Sequence, residues 1–231
     1  MLKGKLVILS LLAAAVLCWQ ILPATVNTVN SGVVDPCSTT ASIVGGPYCW
    51  VICPAGDGPA LNALLPGPLT GDATISVTVK DQTGAPVAGI PAADFWLVGC
   101  SDGIALCAGA GSINASAATD VNGQTTINGA LFGGGCDDSV GVVVQGALLV
   151  DPGDCVSPRC LQILTRSPDI NGDLQVESLD FTLFGNGWTL LGGTYNACVD
   201  YDCNSVEDSL DFTIFGNHYY VGDFANRHHC N

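Results

Sequence analysis

The feature that most constrains this chain is a unit written twice near its C-terminal end. Asp169-Ile-Asn171-Gly-Asp173-Leu-Gln175-Val-Glu177-Ser-Leu-Asp180 runs into Phe181-Thr-Leu-Phe-Gly-Asn186. Asp200-Tyr-Asp202-Cys-Asn204-Ser-Val206-Glu-Asp208-Ser-Leu-Asp211 runs into Phe212-Thr-Ile-Phe-Gly-Asn217. The offset is 31 residues, from Asp169 to Asp200 and from Asp180 to Asp211. Between 178–186 and 209–217 only Leu183 and Ile214 differ. Repetition this close means one supersecondary unit used twice.

Each unit reads as a twelve-position calcium loop followed by a short helix. Oxygen-bearing side chains fall at positions 1, 3, 5, 9 and 12, and position 7 offers its backbone carbonyl. In the first loop these are Asp169, Asn171, Asp173, Glu177 and Asp180, with Gln175 at position 7. In the second they are Asp200, Asp202, Asn204, Asp208 and Asp211, with Val206 at position 7. Alternate residues of a tight loop can point inward together and give a hard cation its six or more oxygens. Without a cation the carboxylates repel one another. Two charges about 4 Å apart cost up to ~4 kcal/mol at an effective dielectric of about 20. The region 167–225 is therefore expected to loosen when calcium is removed. A single acidic turn of this kind could be mere solvated loop, but two in register argue for Ca2+ at two sites.

The pair resembles a dockerin module, the calcium-dependent docking domain of cellulosome-type assemblies. The resemblance covers about 167–225 and rests on two loop-helix units with Asp, rather than the Glu of a helix-loop-helix EF-hand, at position 12. It implies that neither unit has a helix before its loop. It also implies that positions 10 and 11, Ser178-Leu179 and Ser209-Leu210, face an extracellular, cohesin-like protein partner. Position 6, glycine in the family, is Leu174 and Ser205 here. Position 8 is Val176 in the first unit and Glu207 in the second, which makes the first site the expected tighter one. Phe181 with Phe184, and Phe212 with Phe215, share a stripe by which the two helices are expected to pack. Gly185 and Gly216 suit the position just past a helix end.

Charge narrows the choice of partner. The formal net charge is −15, and without Lys3 and Lys5 of the N-terminal stretch 21 acidic residues face 4 basic ones, or −17. Such a surface argues against nucleic acid and anionic membranes. The first residues read as a signal peptide over 1–24: Lys3 and Lys5, an apolar run from Leu6 to Leu17, then Pro23-Ala24. The run is short for a membrane span, and retention as an anchor stays open. Leu17 is too bulky for a lipid-attachment site at Cys18. Export predicts a secreted, extracellular or cell-surface protein of bacterial type, with no membrane span once the leader is gone.

Eleven cysteines follow Cys18, and at this density they read as disulfides, with one left over. Cys100 with Cys107 and Cys155 with Cys160 are spaced to close short loops. Cys198, Cys203 and Cys230 are placed to staple the second calcium unit.

The remaining chain divides into a flexible lead (25–36), a β region (37–166) and a short tail (226–231). Strands are expected at Pro47 to Cys53, Ile75 to Lys80, Phe95 to Val98, Gln124 to Ile127, and a late bent pair from Val142 to Val150. Turns fall at Asp81 to Pro86 and Asp120 to Gly123. Spacing of this kind suggests a sandwich. The stretches 77–90 and 119–126 resemble bacterial immunoglobulin-like domains of the invasin kind. The expected fold is thus mainly β: an immunoglobulin-like β-sandwich followed by a small α-helical, EF-hand-related calcium module.

The reading is a secreted, non-catalytic attachment protein that displays its sandwich. Two alternatives stay open. In one the sandwich binds carbohydrate, with Tyr48, Trp50, Phe95 and Trp96 as candidate platforms. In the other the chain is a structural surface protein whose calcium unit packs on its own sandwich. Gly99-Cys-Ser101-Asp-Gly103 spells a nucleophile elbow, the motif of a serine hydrolase. No alternation of strand and helix surrounds it, and the histidines are only His218, His228 and His229.

Overall fold

The β region owes its form to short runs with one apolar face. In Ile75–Thr78 the isoleucine and Val77 are buried while Ser76 is exposed, and in Gln124–Ile127 burial alternates in the same way. A period of two puts alternate side chains on opposite faces of a sheet. The computed structural model describes residues 32–56, 58–63, 71–107, 113–188 and 193–219. The expected leader 1–24 with Cys18, positions 25–31, and residues 220–231 with His228, His229 and Cys230 lie outside these.

The strands in chain order are β1 (Thr40–Ser42), β2 (Tyr48–Val51), β3 (Ile75–Thr78), β4 (Phe95–Gly99), β5 (Ile104–Leu106), β6 (Gln124–Ile127), β7 (Gly133–Asp137), β8 (Val140–Val144), β9 (Ala147–Leu148), β10 (Cys160–Leu161) and β11 (Ile163–Arg166). They form three sheets. One has the order β1-β3-β6. A second has the order β10-β8-β4, with β9 folded back on β8. The third has the order β2-β11-β7-β5. Only β2 and β11 run parallel; every other named pair is antiparallel. All five residues of β8 are buried, as a central strand covered on both faces requires. Trp50, Ile75, Val77, Phe95, Leu97, Ile127, Val142 and Ile163 lie in one continuous core.

The protein is mainly β, as its sequence implies. The run Pro47 to Cys53 supplies the second strand rather than the first, because Thr40–Ser42 already pairs with β3. The lead is packed from Val34 onward: Val34 is buried, and Asp35 N–H donates to Lys80 O at 2.9 Å. Trp50 and Phe95 are fully buried in the core, and Tyr48 and Trp96 pack against it. Two of the four candidate sugar platforms are therefore core residues.

The disulfides follow the sheets rather than the sequence. Cys100 joins Cys160, Cys37 joins Cys155, Cys49 joins Cys203 and Cys136 joins Cys198. The short loops expected from Cys100–Cys107 and Cys155–Cys160 do not form. Gly99 opposes Val140 while Cys160 opposes Gly141, so Cys100 and Cys160 reach each other across β8. Gly141 makes room for the crossing: a Cβ there would lie 3.6 Å from Cys100 Sγ and 2.9 Å from a Leu148 methyl.

After β11 come two helices, α1 (Ser178–Gly187) and α2 (Ser209–His218). Phe184, Phe215, Val176, Val199 and Tyr201 form a second core, against which Val51 of β2 also packs. The described residues from Gly32 onward belong to one compact unit. Gly185 and Gly216 lie inside the last helical turn rather than beyond it. Each helix runs two residues past its glycine and ends at Trp188 or Tyr219, whose extended backbone stops the helix while its ring packs on Phe184 or Phe215.

Candidate calcium site

The two loops fold alike because their acidic residues hydrogen-bond to their own backbones. Asp169 accepts N–H bonds at Oδ1 from Gly172 (2.9 Å) and Asp173 (3.2 Å), and at Oδ2 from Leu174 (2.7 Å). Asp200 accepts at Oδ1 from Asn204 (3.1 Å) and at Oδ2 from Ser205 (2.9 Å). At position 12, Asp180 accepts from Ile170 N (2.8 Å) and Glu177 N (2.8 Å), and Asp211 from Tyr201 N (2.7 Å) and Asp208 N (2.9 Å). These last contacts recur at the 31-residue offset. Such side-chain-to-backbone bonds draw a chain into a turn in place of helix or strand.

The final loop residues also begin the helices. Glu177 caps α1 and Asp208 caps α2, each in a reciprocal capping box with the aspartate three residues on, Asp180 or Asp211. One carboxylate thus closes the loop and stabilises the helix start, where the helix dipole favours negative charge.

The backbone is repeated as well. Gly172 and Cys203 at position 4 have φ of +73° and +51°, and Leu174 and Ser205 at position 6 both have φ of +68°. A non-glycine residue in the left-handed region is uncommon and costs about 1–2 kcal/mol. The absence of glycine at position 6 therefore leaves the turn in place, held there by the bonds to positions 1 and 12.

Among the predicted ligands, Asp169, Asp180, Asp200 and Asp211 are buried, while Asn171 and Asp173 are exposed and Asp202 and Asn204 half-buried. Ligand atoms of Asp200, Asp202 and Asp211 lie within 4.8 Å of one another. Burial pushes the Asp169 carboxyl up to about 7, with the charges of Asp180 and Asp173 adding to the shift. Burial likewise raises Asp211 to about 6, aided by Asp200 and Asp202. Asp180 and Asp202 also rise, again chiefly through burial. The acids gathered in the second loop suit a hard divalent cation; among the described residues the first loop shows no comparable group of three. The Glu177 and Asp208 side chains and the position-7 carbonyls of Gln175 and Val206 complete the predicted donors, at the turn into each helix.

Several residues that shape the loops carried no motif. A Cβ on Gly134 of β7 would lie 1.7 Å from Asp169 Oδ2, and Gly135 N–H donates to Asp169 O at 2.6 Å. The glycine run 133–135 is the signal for this close approach. Tyr195 donates its hydroxyl to Asp200 Oδ2 at 2.7 Å. Glu207, an acid where the first unit has Val176, is buried and accepts the Asn196 N–H.

The two helices meet through aromatic rings related by the repeat. Phe184 and Phe215 stack with centroids 4.8 Å apart. Phe181–Phe215 and Phe184–Phe212 lie at 6.2 and 6.1 Å, and Phe181–Tyr219 and Trp188–Phe212 at 5.6 and 5.2 Å. Each contact has its partner at the 31-residue offset, which describes a near two-fold arrangement. Leu179 and Leu210 are each 48 % exposed, and Ser178 and Ser209 are exposed beside them.

Elsewhere, the turn at Gly99 to Gly103 enters strand β5 rather than a helix, and Cys100 is in a disulfide. Asp120 accepts N–H bonds from Asn122 and Gln124, an Asx-type turn. Cys49 is disulfide-bonded, and Cys53 Sγ lies 3.4 Å from His218 Nδ1. No described helix is long and apolar enough to cross a membrane. No protein-family model, no curated protein and no solved structure matches the chain.

Proposed function

We propose that this is a secreted, non-catalytic protein whose paired loops bind two calcium ions and whose helix starts attach it to another extracellular protein. The β region, read as an immunoglobulin-like sandwich, is what the attachment displays. The paired loops are read as dockerin-like. Four disulfides among the described residues fit an oxidising, extracellular compartment.

The observation that carries the attachment is the exposure of Leu179 and Leu210 at matching positions. A single exposed leucine is ordinary; this pair supports the reading because both fall at the same position of the repeat beside exposed Ser178 and Ser209. These two sit at the starts of α1 and α2, immediately before the position-12 acids, so cation binding would fix their placement. The near two-fold arrangement lets either helix start present the same face to one partner.

The test is capture of a partner from the native secretome by the full chain, with and without a calcium chelator. Leu179→Asp and Leu210→Asp should each weaken capture slightly, and the double change should remove it while leaving calcium affinity intact. Calcium-independent capture, or unfolding by either single change in circular dichroism, contradicts the docking face.

A second reading is favoured by a separate observation. Cys49–Cys203 and Cys136–Cys198 bind the second unit to β2 and β7, and Val51 of β2 packs in the helical core. On this reading the calcium unit clasps its own β region and has no partner. Calcium would then raise the melting temperature of the whole chain, and no capture would be observed.

A further inference from the structure

The two loops differ most at position 4. In the first loop it is Gly172, whose φ of +73° suits glycine. In the second it is Cys203, held at φ +51° and bonded to Cys49 of β2. This tie falls between two predicted ligands, Asp202 and Asn204, which are half-buried, whereas their counterparts Asn171 and Asp173 are exposed. The residue entering the second loop is held too: Cys198 is bonded to Cys136 of β7. Asp200 takes the Tyr195 hydroxyl in addition to its backbone donors. The first loop is anchored at its start, where Asp169 follows β11 closely and its carbonyl accepts Gly135 N–H. Nothing covalent holds its middle.

We infer that the Cys49–Cys203 disulfide is a positioning element of the second loop, and that this loop therefore takes up calcium before the first. The inference rests on the reading of the loops as calcium sites. It reverses the order expected from Val176 and Glu207. The physical reason is preorganisation: a cation closing a slack loop must also order it, whereas a loop already pinned by a long-range crosslink has lost that freedom beforehand. The buried Glu207 does not open the loop, because its carboxylate is bonded to Asn196 N–H in the connector.

Calcium titrations of the full chain in single-site backgrounds test this. Asp180→Ala leaves only the second loop, and Asp211→Ala leaves only the first. The second loop should bind more tightly than the first. Adding Cys49→Ala with Cys203→Ala should weaken the second loop by about 10- to 100-fold, the range for groups that orient metal ligands, and leave the first unchanged. Removing Cys100–Cys160, a crosslink within the β region, should lower the melting temperature and change neither affinity. A merely structural role for Cys49–Cys203 would lower both affinities or neither. Should that variant fail to fold, hydrogen exchange of the parent in chelator decides. The amides of Asn204 and Ser205 should exchange more slowly than those of Asp173 and Leu174, and equal or reversed rates overturn the inference. Absence of calcium binding in the parent overturns the reading of the loops and this inference with it. Binding at both loops with affinities indifferent to the disulfide overturns this inference alone.

Discussion

The two loop-helix units have nearly the same sequence through their helices but are fixed to the β region by different means. The first follows directly from β11 and lies against the glycines of β7, with Asp169 in contact where Gly134 has no side chain. The second arrives after a connector and is fastened by Cys136–Cys198 and Cys49–Cys203. One loop is held by close backbone approach, the other by covalent crosslinks. A repeat specifies local geometry, while its setting decides how firmly that geometry is held.

The largest expected effect comes from removing a position-12 carboxylate. Asp180→Ala should abolish the first site and Asp211→Ala the second, with no residual binding at that loop at calcium concentrations on the order of 10⁻³ M, the weak end for extracellular modules. Each is checked by the loss of one equivalent in isothermal titration. Loss of both equivalents from one change would show that the loops are not separable.

Next come the aromatics shared by the two units. Phe184→Ala and Phe215→Ala each remove a buried, stacked ring and should each cost about 3–5 kcal/mol in chemical denaturation. Phe181→Ala and Phe212→Ala, at 48 % and 44 % exposed, should cost distinctly less. A large difference between Phe184 and Phe215 would break the near two-fold description.

Gly134→Ala sharpens the contrast between the anchors. Its methyl would collide with Asp169 Oδ2, so the first loop must shift, at about 1–3 kcal/mol for overpacking. Calcium affinity should fall at the first loop and hold at the second. Equal losses at both would show that the loops are coupled through the helices.

The last effect is a pH dependence in chelator. Asp169 is pushed up to about 7 and Asp211 to about 6, both above an unfolded value of about 4. The stability that each contributes is complete below that unfolded value and is lost as pH rises through about 6 to 7. Calcium-free protein should therefore melt lower at pH 8 than at pH 5, and excess calcium should reduce the difference. Thermal melts at the two pH values check the sign.

Much of the site was legible because its information is local. Ligand spacing, the capping acids and the Phe184 and Phe215 stripe depend on residues within a dozen positions; the structure shows the capping boxes and the stacked stripe, and of the spaced acids it gathers Asp200, Asp202 and Asp211. The disulfide partners depend on which strands are neighbours. Cys100 finds Cys160 only because β4 and β10 flank β8, which no spacing in the chain records. The first strand, Thr40–Ser42, was hidden because three residues carry too little alternation to register. The helix ends fall two residues beyond Gly185 and Gly216, where Trp188 and Tyr219 turn to extended backbone and pack on the stripe, a contact between turns that glycine position alone does not record. Tyr195 and Gly134 act through contacts made only in the folded chain, although the glycine run beside Cys136 was a sign of close approach.

The most direct measurement is an isothermal calcium titration of the intact, oxidised chain after exhaustive chelation. Two calcium ions should bind per chain, in two resolved steps with the second loop filling first. No calcium heat at millimolar ion would refute calcium binding by the loops.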